Sequence, residues 1–184
     1  MAEVWCIVGG SDGRDRYLAE ELIHTGNSVA ILKNDVSHLA MLVNAYGDAI
    51  LPIEILDEGD EALAEALHHV EESFGQVDVI AVLLDPCTEN EIEQVSTSLT
   101  KDRAGFAYAV EVLTSSLPGS TIVIVTGQLN ASKDDQLRTR MLNAALEDRL
   151  RHAVPFTAQN NRTIDVIYVD DVPARLNTKG AAKR

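Results

Sequence analysis

A glycine-rich turn near the amino terminus is the first place where this sequence suggests chemistry. Residues 9–15 read Gly-Gly-Ser-Asp-Gly-Arg-Asp and follow the apolar run Val4–Val8. Glycines between a strand and a helix let the backbone approach a pyrophosphate, and the helix amino terminus supplies partial positive charge. The turn therefore predicts a nucleotide crevice, although such a turn alone is not specific.

Three carboxylates oppose nucleotide binding at the predicted crevice. Asp12 and Asp15 flank the last glycine of the turn, and Asp85 follows the fourth apolar run. Two like charges 4 Å apart repel by about 1 kcal/mol in water and about 4 kcal/mol at an effective dielectric of 20. We therefore expect dinucleotide affinity to fall by about a hundredfold or more, with Arg14 and Arg16 as the cations that could offset Asp15.

The residue after the second apolar run bears on the choice of cofactor. An acidic residue there accepts hydrogen bonds from the ribose hydroxyls of NAD, whereas this chain has Lys33, which suits a 2′-phosphate. Asp12 argues against a 2′-phosphate, because a carboxylate close to that group would repel it. The two expectations that remain are no cofactor at all or NADP(H).

The elements that position these residues follow from hydrophobic periodicity. Apolar runs alternate with helical patterns, which predicts an α/β fold: a Rossmann-like, doubly wound parallel sheet of about six strands with helices on both faces. Residues 1–172 form this domain, and the basic tail 173–184 is expected to be disordered. The predicted strands are Val4–Val8, Ser28–Leu32, Ile50–Leu56, Val77–Leu84, Thr121–Thr126 and Thr163–Val169. The predicted helices are Arg16–His24, Ser37–Tyr46, Glu58–Phe74, Ile92–Leu117 and Asp134–His152.

Several motifs resemble the short-chain dehydrogenase/reductase (SDR) family over roughly residues 4–170. The most distinctive is Phe-Gly-Gln-Val-Asp-Val at 74–79, which is similar to the family's entry into its fourth strand. Gly9 and Gly13 match the first two glycines of the family's turn, while its third glycine falls on Asp15. The resemblance implies a nicotinamide cofactor near Gly9, Gly13, Lys33 and Glu54.

The catalytic residues that the resemblance implies are mostly missing. The family uses a Tyr as general acid, a Lys four residues later and a Ser that polarises the carbonyl. Thr126 stands at the Ser position, but no tyrosine occurs in the forty residues after it. In one register the Tyr and Lys fall on Ser132 and Gln136, and in the other on Thr139 and Asn143. The chain is therefore similar to a divergent SDR protein that lacks the Tyr-x-x-x-Lys pair.

Three residues remain as weak substitutes: Thr126, Ser132 and Lys133. Lys133 could act as a base if burial lowered its pKa, but an exposed lysine at a helix start beside Asp134 and Asp135 is the simpler interpretation. The five histidines show no ligand spacing, so no metal site is expected.

Composition excludes several other classes of function. The net charge of −14 argues against nucleic acid and against anionic membranes. Two cysteines are too few for a disulfide framework, the amino terminus does not resemble a signal peptide, and no apolar run approaches membrane-spanning length. We expect a soluble cytoplasmic protein.

The predicted helix Asp134–His152 gathers basic residues together with apolar residues on more than one face. In the resembled family the matching helices pack against a second subunit. We therefore expect a homo-oligomer, or a hetero-oligomer with another SDR-type protein, through helices around 100–117 and 134–152.

Three functional hypotheses follow. The first is a non-catalytic SDR-like protein, a pseudoenzyme that acts by self-association or by association with an active partner. The second is a divergent NADP(H)-dependent oxidoreductase with an unorthodox acid. The third is a module that senses a nucleotide or metabolite.

Overall fold

The computed structural model describes residues 2–9, 13–55, 60–83, 121–127, 131–141, 144, 164–168 and 171. Asp12 and Asp85 lie outside these residues, as do the predicted helix Ile92–Leu117, most of the predicted helix beyond residue 141 and the tail 173–184.

Within the described residues the sheet has six parallel strands in the order β3-β2-β1-β4-β5-β6, which confirms the predicted doubly wound topology. The strands are β1 (Val4–Gly9), β2 (Ser28–Lys33), β3 (Ile50–Glu54), β4 (Val79–Leu83), β5 (Thr121–Thr126) and β6 (Ile164–Tyr168). Every residue of β4 is buried, as expected for a central strand that is covered on both faces. Val8 of β1 pairs with Leu32 on one side and Val82 on the other, so the carboxyl ends of β1, β2 and β4 lie at one edge.

The helices follow the predicted pattern with shifted ends. They are α1 (Arg14–His24), α2 (Ala40–Tyr46), α3 (Asp60–Phe74) and a helix over residues 133–141. α1 begins two residues earlier than periodicity predicted, because Gly13 at its start adopts φ +84 and brings Arg14 and Asp15 into the first turn. The predicted second helix begins instead as a 3-10 turn, Ser37–Leu39, which leads into α2.

The core lies in two layers, one on each face of the sheet. Leu63, Leu67 and Val70 of α3 pack on one face, and Leu18 and Leu22 of α1 pack on the other. Their spacing of three or four residues places each set on a single stripe of its helix, which is why both helices dock against the strands. Helices therefore cover both faces in the described part of the chain. No helix in that part is long and apolar enough to cross a membrane.

Candidate functional site

The candidate site is the crevice at the carboxyl ends of β1 and β4, where the chain reverses its direction of travel across the sheet. Ligands of doubly wound sheets bind at this point. Gly9 ends β1 with φ +85, and a Cβ at this position would lie 3.1 Å from the carbonyl oxygen of Leu83. The close approach of β1 to β4 and the left-handed backbone both favour glycine there.

Asp15 is the central charged group of this crevice, and its side chain is fully buried. Its Oδ2 accepts a hydrogen bond from Lys33 Nζ at 2.7 Å and lies 3.0 Å from Nε2 of His38. Its Oδ1 accepts a bond from the backbone N–H of Arg16 at 2.9 Å. The carboxylate is therefore held by one residue of β2, one of the 3-10 turn and one of its own helix.

These contacts keep Asp15 ionised despite its burial. Burial opposes ionisation, but hydrogen bonds from Lys33, from the Arg16 backbone and from His38, together with the charge of Lys33, hold the pKa of Asp15 below its ordinary value. The Asp15 carboxylate thus supplies a negative charge in the first turn of α1, where the partial positive charge of the helix amino terminus stabilises it. Lys33, expected to meet a 2′-phosphate, is already paired with this carboxylate.

Arg14 makes a different contact from the one that the sequence suggested. Its guanidinium is buried, and Nη1 donates to the carbonyl oxygen of Gly127 at 2.9 Å. Arg16 points outward and pairs with Glu20 at 3.2 Å. The cation paired with Asp15 is therefore Lys33 rather than either arginine, since the two guanidinium groups bind other partners. Whether Arg14 and Arg16 offset the charge of Asp12 stays a prediction.

The three weak catalytic candidates lie at the end of β5 and at the start of the 133–141 helix. Thr126 is buried, and its hydroxyl lies 3.5 Å from the carbonyl oxygen of Ile167, to which it donates. Ser132 caps the 133–141 helix: its Oγ donates to Asp135 Oδ2 at 2.5 Å and accepts from the Asp135 N–H at 3.2 Å. Lys133 is exposed, so the burial that a catalytic role required is not found.

The remaining cofactor candidates lie along the same edge of the sheet. Gly13 precedes α1 in a left-handed conformation, and Glu54 pairs in register with Lys33 across β2 and β3 but is exposed. Sequence reasoning missed His38 and Gly127. No motif marks either residue, since each meets its partner only through the fold. Among the described residues no group of three or more His, Cys, Asp or Glu side chains could hold a metal ion.

Solved structures of dehydrogenases and reductases share this fold. A short-chain dehydrogenase from Streptomyces avermitilis is 22% identical with a TM-score of 0.57, and the match covers 91% of this chain but 64% of that one. The enoyl-[acyl-carrier-protein] reductase (NADH) from Aquifex aeolicus is 17% identical with a TM-score of 0.60, covering 94% and 86%. An alcohol dehydrogenase from Thermococcus sibiricus, complexed with 5-hydroxy-NADP, is 16% identical with a TM-score of 0.60, covering 96% and 89%.

These similarities show the fold. The chain spans just under two thirds of the length of the Streptomyces protein. No protein-family model and no curated protein matches the sequence.

Proposed function

We propose that this protein, which has the fold of the short-chain dehydrogenases/reductases, is a pseudoenzyme that acts by associating with itself or with an active protein of the same fold. The observation that carries the proposal is the buried ion pair between Asp15 and Lys33 at the amino terminus of α1. The helix end and the cation that would receive a nucleotide phosphate are both engaged by the chain's own carboxylate.

The charge of Asp15 sets the scale of the effect on nucleotide binding. A phosphate about 4 Å from this carboxylate would meet a repulsion of about 4 kcal/mol at an effective dielectric of 20. That value corresponds to a loss of affinity of about a thousandfold. Lys33 offsets part of this repulsion because its ammonium group lies 2.7 Å from Asp15, so a thousandfold loss is the upper bound. The pair also leaves no uncompensated charge on Lys33 for the phosphate.

The candidate catalytic residues support the same proposal. Thr126 directs its hydroxyl towards the backbone of β6, Ser132 caps a helix, and Lys133 is exposed to solvent. A general acid or base must lie within hydrogen-bonding reach of its substrate and have a pKa adjusted by its surroundings. The exposed helix start around Ser132 and Lys133 offers no such surroundings.

An exposed apolar face on the 133–141 helix supports the proposed association. Leu137 is 61% exposed and Met141 is 70% exposed. They stand four residues apart and so lie on one face of the helix. The sequence 133–141 contains three basic and two acidic residues in a chain of net charge −14. Repulsion between two copies would therefore be weaker at this helix than over an average part of the surface.

The nucleotide part of the proposal is tested by calorimetric titration with NADPH and then NADH. We expect no binding heat up to millimolar nucleotide. Micromolar binding without turnover would contradict the proposal in favour of a sensing module, and binding with turnover would favour a divergent reductase. If turnover survived the double substitution Thr126→Ala and Lys133→Ala, the catalytic residues would have to be sought elsewhere.

The association part is tested by sedimentation equilibrium over a range of concentrations. We expect a mass above the 20.0 kDa of the monomer. The double variant Leu137→Ser, Met141→Ser should reduce it to the monomer value. Met41→Ser is the matched control, because Met41 is 69% exposed but lies on α2. A wild-type protein that remains monomeric at about 100 μM would refute self-association, because a homodimer with a Kd of about 1 μM would be mostly dimeric at that concentration.

A further inference from the structure

The crevice is linked to the far side of β5 through buried contacts. Arg14 Nη1 donates to the carbonyl oxygen of Gly127 at 2.9 Å, and this bond is buried. On its other side, Gly127 lies directly against the ring of Tyr168, since a Cβ on residue 127 would be 2.3 Å from Cε2 of that ring. Tyr168 itself is 1% exposed. A chain of contacts therefore runs from Arg14 in the first turn of α1, through Gly127, to Tyr168 at the end of β6.

The same chain of contacts continues to the surface. The guanidinium carbon of Arg140 lies 5.4 Å from the centroid of the Tyr168 ring, within the range of a cation–π interaction. Arg140 also makes two parallel bonds to Asp171, of 2.7 Å from Nη1 to Oδ2 and 2.8 Å from Nη2 to Oδ1. A guanidinium held by two such bonds is fixed in orientation.

We propose that Arg14, Gly127, Tyr168 and Arg140 form one packed column, and that the first turn of α1 and the 133–141 helix influence each other through it. Leu137 and Met141, which expose the apolar face of that helix, stand three residues before and one residue after Arg140. A partner on this face would border the Arg140–Asp171 pair. The physiological meaning of the coupling rests on the proposed function, whereas the coupling itself is a property of the single chain.

The packing explains why a change at one end would reach the other. Protein interiors are close-packed and transmit strain, and the ring of Tyr168 contacts both Gly127 and Arg140, so a displacement of the ring would be felt at both residues. The Gly127 backbone carries the carbonyl which holds Arg14. Coupling between two sites is reciprocal, so substitutions at either end should produce effects at the other.

Hydrogen exchange of the folded protein tests the column in both directions. Arg140→Met keeps an unbranched apolar stem but removes the Asp171 pair, and it should speed exchange of the amides at 14–17 by about 2- to 30-fold. Arg14→Met should speed exchange at 135–141 by a similar factor. The amides of β3, remote in the sheet order from β6, report any loss of global stability and serve as the internal reference.

Two matched variants control for a general effect of removing an arginine. Arg138→Met changes an exposed residue of the same surface helix, and Arg16→Met changes the outward-facing arginine of α1. Neither should alter exchange at the opposite end of the column. Exchange that stays within twofold of wild type in both column variants, or that changes equally in the controls, would overturn the proposal.

The association measurement separates this proposal from the proposed function. If the wild type associates, Arg14→Met should weaken association although Arg14 is buried far from the apolar face. A wild-type monomer would remove self-association from the proposed function, and the exchange experiment would still decide the column. If the protein associates while both column variants exchange like wild type, the column alone is refuted.

Discussion

Replacing Asp15 by Asn tests the charged cluster of the crevice most directly. The substitution keeps the size of the side chain and an oxygen that can accept from the Arg16 N–H, which now lies 2.9 Å from Oδ1. It removes the charge that faces Lys33 Nζ at 2.7 Å and His38 Nε2 at 3.0 Å. The Lys33 side chain, only 13% exposed, would then lack its counter-charge.

The expected loss of stability follows from this geometry. Removing one partner of a fully buried ion pair costs about 3–5 kcal/mol. Because the flexible stem of Lys33 allows its ammonium group to move towards water, we expect a smaller loss of about 2–3 kcal/mol in the free energy of unfolding. Urea denaturation at pH 7 should show this loss as a fall in midpoint of about 1–1.5 M.

The pH dependence of this loss identifies the charge as its cause. The pKa of Asp15 is lower in the folded protein than its ordinary value. Its contribution is therefore complete above the unfolded pKa of about 3.9 and is lost as the pH falls through the folded pKa. The stability difference between wild type and Asp15→Asn should be constant between about pH 5 and 7 and should narrow below about pH 4.

Asp35→Asn is the matched control, because this carboxylate is exposed and accepts from the Ser37 N–H at 2.9 Å. Its substitution should cost clearly less than that of Asp15. A difference below about 0.5 kcal/mol for Asp15→Asn at pH 7, within the range of ordinary surface substitutions, would refute the reasoning. A difference that does not narrow in acid would show that shape, rather than charge, holds the cluster together.

Two further substitutions test close packing in the described core. Gly127→Ala should destabilise by about 2–5 kcal/mol in urea denaturation, because residue 127 has φ +93 and its new Cβ would collide with Tyr168. Gly26→Ala, at φ +87 with open space around it, should cost only about 1 kcal/mol, and equal losses at the two positions would contradict the collision. Burial raises the pKa of the Cys6 thiol far above its usual range. In a Cys87→Ser background, Cys6 should therefore react with a disulfide reagent only at the rate of unfolding, and fast labelling of the native protein would show that it is accessible.

The sequence by itself determined the sheet and the general character of the crevice. Apolar runs separated by helical periodicity predicted all six strands, because a parallel sheet covered on both faces requires such runs and places crossover helices between them. The ends of the elements were less well determined. The start of α1 moved from Arg16 to Arg14, since a glycine with φ +84 decides where the helix begins and periodicity does not report it. The interpretation that the family's Tyr-x-x-x-Lys pair is missing rests on residue types alone and stays a prediction.

Only the tertiary structure decided which charges meet in the crevice. Asp15 lies 18 residues from Lys33 and 23 from His38 along the chain, and Arg14 lies 113 residues from Gly127. Sequence reasoning gave Asp15 the nearest cations, Arg14 and Arg16, because spacing along a helix reveals neighbours but not the direction of their side chains towards other strands. Parallel pairing of β1 with β2 brings Lys33 to the first turn of α1, whereas the position of β5 beyond β4 gives Arg14 a carbonyl to bind. Long-range contacts of this kind depend on strand order and register, which no local pattern encodes.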